Sequence, residues 1–154
     1  MRNYPAAGAL VLSMALFLSG CDGNPMGPIA GGALSGEPQP WPESWTFTDR
    51  VENIFLETDP DDPYSVTLWG VASDDHFYIA GASDESTWVA NLLKDPRVKL
   101  AVEDQLFVAR VEQVSEPEEL AAVLQAYVAK YQIETDEGSN FIEEGGILFR
   151  LHQP

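Results

Sequence analysis

Ser83-Asp84-Glu85-Ser86-Thr87-Trp88-Val89-Ala90-Asn91-Leu92-Leu93-Lys94-Asp95-Pro96-Arg97-Val98-Lys99-Leu100-Ala101-Val102 reads as a short helix, an abrupt stop and a strand. Ser83, Asp84 and Ser86 are candidate caps, because a short side-chain oxygen can accept an orphan N–H of the first turn. Trp88, Val89, Leu92 and Leu93 recur at helical spacing and give one apolar face. Pro96 ends the helix, since it lacks an N–H and drives Asp95 out of the helical region. Val98, Leu100 and Val102 then alternate with Arg97, Lys99 and Ala101, the pattern of a half-buried strand. Strand patterns lie on both sides of this unit, which predicts a β-barrel crossed by a helix.

Upstream, Asn53 to Thr58 reads as a strand, followed by the acidic turn Asp59-Pro60-Asp61-Asp62-Pro63. Tyr64 to Val71 reads as one strand, with Tyr64, Val66 and Leu68 on one face and Trp69 and Val71 on the other. Ser73-Asp74-Asp75 turns the chain, and His76 to Ala82 returns to complete a hairpin. Downstream, Leu106 to Val114 alternates as a long strand. Ser115-Glu116-Pro117-Glu118 has capping-box spacing with Pro117 in the first turn. Leu120, Val123, Leu124, Tyr127, Val128 and Tyr131 then mark one face of a helix. Glu134 to Gly146 reads as a loop, and Ile147 to His152 as a closing strand. The expectation is a mainly β domain with two helices, a small six-stranded antiparallel barrel that closes its own edges.

The 154 residues carry a formal net charge of -17. That balance excludes a basic footprint for nucleic acid and gives a self-repelling acidic surface. Cys21 is the single cysteine, so no intramolecular disulfide is available and the core must supply stability. Ala6 to Leu18 is an apolar run too short for a comfortable membrane span, and it ends in small residues, as signal peptides do. Leu18-Ser19-Gly20-Cys21 resembles the bacterial lipoprotein box. The resemblance implies a signal peptide over residues 1–20 and acylation of Cys21. It implies an exported chain, lipid-anchored to the bacterial cell membrane on a periplasmic or outer face. Residues 21–43, rich in Gly, Pro, Ala and Ser, read as a flexible tether with a reach on the order of 25 Å. The folded domain is expected over residues 44–154, with Trp41 and Trp45 packing back onto its edge.

Several residues carry a second resemblance: Leu68-Trp69-Gly70-Val71, Phe77-Tyr78-Ile79-Ala80, Trp88-Val89-Ala90-Asn91-Leu92, Asp95-Pro96-Arg97-Val98, Ala126-Tyr127, Lys130-Tyr131 and Leu148-Phe149-Arg150-Leu151. Together with the order of elements, they resemble the FMN-binding split-barrel superfamily, the fold of the pyridoxamine-phosphate oxidases and of deazaflavin-dependent nitroreductase-like proteins. The resemblance implies FMN or a deazaflavin lying across a barrel edge, commonly between the two subunits of a homodimer. It implies a phosphate held by Arg or Lys beside the first hairpin and by hydroxyls or N–H groups before the short helix. In this chain Ser83, Ser86 and Thr87 stand at that helix start, Trp69 and Trp88 could form flat walls, and Asn91 accompanies them. On their residue types alone, Trp69, Trp88 and Asn91 read first as determinants of the fold and only second as ligand contacts. The chain departs from the pattern where Asp59 to Pro63 replaces a basic turn and where Asp84 and Glu85 crowd the helix start. In a partly dry site each such carboxylate opposes a phosphate by roughly 1–4 kcal/mol.

No catalytic residue and no metal set is assigned. His76 reads as a solvent-exposed strand residue, and Asp59, Asp61 and Asp62 lack the calcium-loop spacing. Two functions follow as expectations. One is an envelope binding or scaffolding module that has lost its phosphate cofactor. The other is an FMN- or deazaflavin-dependent oxidoreductase.

Overall fold

The computed structural model describes residues 23–134 and 140–154, so the segment expected to be a signal peptide and Cys21 lie outside the described residues. The elements in chain order are β1 Glu37–Pro38, β2 Ile54–Thr58, β3 Tyr64–Leu68, β4 Gly70–Ser73, β5 His76–Gly81, α1 Thr87–Lys94, β6 Arg97–Val102, β7 Gln105–Gln113, α2 Pro117–Tyr131 and β8 Ile147–His152, with a 3-10 turn at Thr46–Arg50 before β2. Seven strands form one antiparallel path, β3-β2-β6-β7-β8-β5-β4, and the two-residue β1 lies parallel to the start of β7.

β3 and β4 occupy opposite ends of that path, yet Trp69 alone separates them in the sequence. Consecutive Cα atoms are about 3.8 Å apart, so Leu68 and Gly70 can be at most about 7.6 Å apart. The sheet must curl until its edges meet at Trp69, and it closes through the covalent chain rather than through a ladder. This is a split β-barrel. The single strand expected over Tyr64–Val71 is therefore two strands with different partners. β3 forms a hairpin with β2, from Thr58 opposite Tyr64 to Ile54 opposite Leu68. β4 forms the next hairpin with β5. Gly70 permits the switch: a Cβ there would sit 2.5 Å from Cζ of Phe77, a ring with no exposed surface.

The barrel interior holds Ile54, Leu56, Phe77, Ile79, Val89, Leu100, Phe107 and Leu151. Trp45 goes deeper than the domain edge. It is fully buried, with ring centroids 5.1 Å from both Phe77 and Phe107, while Trp41 packs edge-on against it from outside. A second layer joins Val123 and Tyr127 of α2 to Val71, Tyr78 and Leu148 on the outer face of the sheet. The helix α2 falls where its apolar spacing put it, but Glu116 is its cap residue and makes no side-chain cap bond, so the capping box is not formed. Ser86 likewise precedes α1 in extended conformation without a side-chain cap bond.

The described part of the expected tether is clipped to the sheet. Gly31 and Ser65 exchange two backbone hydrogen bonds of 2.9 Å. Leu34 is buried, and its N–H donates to Oε2 of Glu57 at 2.6 Å. The N–H groups of Glu37 and Gln39 donate to Asp104 and Leu106 carbonyls at 2.8 and 2.9 Å. Apart from the Leu34–Glu57 bond, these contacts join backbone to backbone, which small residues such as Gly31 allow. A Cβ on Gly31 would lie 2.8 Å from Oγ of Ser65.

Candidate apolar cavity at the barrel split

The break at Trp69 leaves backbone groups without ladder partners, and such groups cost free energy when left unpaired away from water. Side chains from α2 take them. Oη of Tyr131 accepts the Gly70 N–H at 3.0 Å and lies 3.0 Å from the Gly70 carbonyl and 2.8 Å from the Glu52 carbonyl, to either of which it can donate. Tyr127 Oη lies 3.2 Å from the Trp69 carbonyl and 3.3 Å from that of Tyr78. Nζ of Lys130 donates to the carbonyls of Gly70 at 2.7 Å and Thr48 at 2.9 Å. Burial pushes Tyr127 well above its ordinary value and raises Tyr131. It depresses Lys130, against the pull of Asp49.

With its backbone secured, Trp69 leaves the sheet. Its ring is 45% exposed and stacks on Tyr131. A cavity of about 450 Å³ opens on one side of the split, walled by Leu68, Trp69, Leu124, Tyr127, Val128 and Phe141. Among the described residues its lining carries no Asp, Glu, Lys, Arg or His; Asn53, Thr67 and the Tyr127 hydroxyl supply its polarity. Thr67 Oγ1 is buried without a hydrogen-bond partner. On the other side of the Trp69–Tyr131 pair lies a polar groove of about 330 Å³ bearing Asp49, Arg50, Glu52 and Lys130.

The structure separates the residues that the sequence grouped as one site. Trp69 belongs to the cavity at the split. Ser83, Ser86 and Thr87 lie around the α1 start, half-buried, half-buried and exposed in turn. Trp88 is buried in the core, edge-on to Phe149, and also touches a smaller space of about 150 Å³ between β3 and the strap residues Gly27–Ala30. Asn91 donates from Nδ2 to Oγ1 of Thr58 at 3.1 Å, tying α1 to the β2–β3 hairpin. Thr67 and Leu68 line both spaces. The α2 residues of the larger cavity carried the helical spacing of a core face, and nothing in that spacing marked the gap left beside them.

A phosphate at the α1 start would meet Asp84 and Glu85, both exposed, with no Lys or Arg between Gly81 and Ala90. Of the basic residues elsewhere, Arg97 is forked onto Asp95, Lys99 pairs with Glu57 at 2.7 Å, and Arg150 bridges Glu112 and Glu119. The residues present do not fit a flavin phosphate there. Among the described residues no group of three or more His, Cys, Asp or Glu side chains could hold a metal, and no helix is long and apolar enough to cross a membrane.

No family model matches the sequence, and no curated protein matches it. Solved structures do share its shape. A conserved hypothetical protein from Mycobacterium tuberculosis is 24% identical at a TM-score of 0.59, over 70% of this chain and 76% of that one. A "putative 5-nitroimidazole antibiotic resistance protein" from Bacteroides thetaiotaomicron is 14% identical at 0.51, over 67% and 73%. A "putative pyridoxamine 5'-phosphate oxidase" from Listeria innocua is 10% identical at 0.51, over 68% and 85%. The chain has the split-barrel fold that these proteins share.

Proposed function

We propose that this chain is a membrane-anchored binding protein built on a flavin-type split barrel. In this reading it takes up a flat, uncharged, apolar small molecule beside Trp69 and does not hold a phosphate cofactor. One observation carries the reading: the cavity of about 450 Å³ at the split is aromatic and, among the described residues, lined by no charged side chain, while the phosphate position at the α1 start is acidic. Its volume falls in the range of small-molecule sites, where apolar walls supply affinity and a few polar atoms fix orientation. Trp69 and Tyr127 supply rings, and the exposed Asn53 amide supplies an orienting donor or acceptor. Acylated Cys21 holds the domain at the membrane, and a second copy of the chain is a further partner.

The other reading is an FMN- or deazaflavin-dependent oxidoreductase. It is favoured by the shared fold and by the Ser86 hydroxyl at the α1 start, which caps nothing. In such an enzyme the cofactor supplies the redox chemistry and the protein orients it.

One titration separates the two. The purified full chain is titrated with FMN, with a deazaflavin and with a neutral planar dye, following intrinsic tryptophan fluorescence and the visible spectrum. The binding reading expects dye affinity near micromolar, about −8 kcal/mol, and no flavin saturation. Micromolar binding of FMN or the deazaflavin overturns it.

A further inference from the structure

Between Asp22 and Glu37 the sequence has no charged residue of either sign, an uncharged run of fourteen positions in a chain of net charge -17. Within it, Met26 and Ile29 exchange two backbone hydrogen bonds of 3.0 Å and close a tight hairpin with Gly27 and Pro28 at its tip. Both side chains face solvent, Met26 at 71% and Ile29 at 63% exposure, the two most exposed large apolar residues among those described. The turn thus holds two large apolar side chains out together. The hairpin is not free to wander. Just before it, the Gly23 carbonyl accepts the Gly32 N–H at 3.1 Å, and Gly31 is bridged to Ser65 of β3.

We infer that this hairpin is a membrane contact, seating Met26 and Ile29 in the interfacial layer of the bilayer beside the acyl chains of Cys21. The inference rests on the reading of Cys21 as acylated. One residue, Asp22, separates Gly23 from Cys21, and two Cα–Cα steps of extended chain span at most about 7 Å. The anchor therefore sits next to the β3 edge of the domain, not at the end of a long leash, and the hairpin cannot stay far from the lipid. Charge selects the same face. An anionic leaflet repels the acidic remainder of the chain, and the uncharged run is the surface that approaches without that penalty.

Acylation of Cys21 leaves the full chain without a free thiol, since no other cysteine is present. Met26→Cys, Ile29→Cys and, in the β4–β5 turn, Asp75→Cys each then carry one environment-sensitive fluorophore. The labelled lipidated chains are reconstituted in vesicles of zwitterionic and anionic phospholipid with brominated acyl chains, and mass spectrometry reads the state of Cys21. The inference expects an acylated Cys21, with bromolipid quenching at positions 26 and 29 roughly twofold or more above that at position 75. Acylated Cys21 with equal, weak quenching at all three positions overturns the hairpin contact and leaves the anchor standing. Labels at 26 and 29 that are shielded from aqueous iodide yet unquenched by lipid mean a protein covers the hairpin, and this also overturns it. An unmodified Cys21 overturns both readings together.

Discussion

The Tyr131 ring lies flat on Trp69, with centroids 4.3 Å apart and planes 7° from parallel, while its hydroxyl bonds to the backbone of Gly70, the next residue after Trp69. One side chain thus covers the ring at the barrel split and pairs the backbone beside it. Tyr131→Phe keeps the stack and removes the hydroxyl. It leaves the Gly70 N–H short of a partner in a partly dry site, and the expected cost is about 1–3 kcal/mol. Tyr131→Ala also loses the stack and should cost about 0.5–1.5 kcal/mol more. Urea denaturation of the two variants measures both steps. Equal stability of Tyr131→Phe and the parent would show that water replaces the hydroxyl without penalty.

The same face sets the alkaline limit of stability. Burial, followed by the hydrogen bond to Glu119, pushes Tyr78 up from 10.0 to about 12, and Tyr127 and Tyr131 are raised as well. A tyrosine raised in this way keeps its proton longer in the folded chain than in the unfolded one. Its contribution is complete below pH 10.0 and is lost as pH climbs through the folded value. Lys130 works in the opposite direction. Burial lowers it from 10.5, so its charged form is a burden that lifts as pH rises to that value. Above 10.5 only the tyrosine loss remains. The melting temperature should therefore fall steadily between pH 10.5 and 12, and Tyr78→Phe should flatten the fall. Melting curves across that window test the sign, and an unchanged slope in Tyr78→Phe would remove Tyr78 from the account.

Glu57 is 2% exposed and serves two partners, the Lys99 ammonium at 2.7 Å and the Leu34 N–H at 2.6 Å. Lys99 is partly exposed and can turn to water; the Leu34 N–H is buried and cannot. Glu57→Ala should therefore cost about 1–3 kcal/mol, felt mainly as local release of the strap. Glu57→Gln keeps an acceptor and should cost less. Hydrogen exchange at Leu34 and proteolysis across residues 31–39 are the readouts. A strap equally protected in Glu57→Ala would mean that its backbone pairing alone holds it.

These contacts show what the sequence could and could not tell. Alternation in Val98, Leu100 and Val102 and helical spacing from Leu120 to Tyr131 announced their elements, because each buries one face and the pattern records it. The strap left no such record. Gly31, Glu37 and Gln39 pair through main-chain groups that every residue has, so composition read them as loose chain. The cavity was half legible. Trp69 stood out as a flat apolar residue, but Leu124, Tyr127 and Val128 looked like any core stripe. Spacing reports that a helix face is covered; it cannot report a gap in the cover.

The cavity should respond to volume. Leu124 faces it from α2 and is partly buried, so Leu124→Trp adds bulk into open space rather than into packed core. Stability should change by less than about 1.5 kcal/mol, while affinity for a neutral planar dye should fall tenfold or more, about 1.4 kcal/mol. Leu124→Ala, which enlarges the space, should weaken dye binding less than Leu124→Trp does. Dye affinity untouched by Leu124→Trp would place binding elsewhere.

Gly70 joins the two halves of the argument, because the sheet switches edges there and the α2 side chains converge on its backbone. A methyl group at this position would meet Phe77 Cζ at 2.5 Å and Cε1 at 2.8 Å. Phe77 is fully enclosed by the barrel core and packs on Trp45, so its ring has no room to retreat. Gly70→Ala must then push β4 outward, which stretches the Lys130 and Tyr131 hydrogen bonds and turns Trp69. Overpacking of this kind costs about 1–3 kcal/mol, and here it should also change the cavity. The expected result is a lower melting point together with weaker dye binding, a pairing that Leu124→Trp does not share. Phe77→Leu in the same chain shortens the opposing side chain and should restore part of both losses. If it restores stability but not binding, the shape of the cavity depends on the Phe77 ring itself rather than on the position of β4.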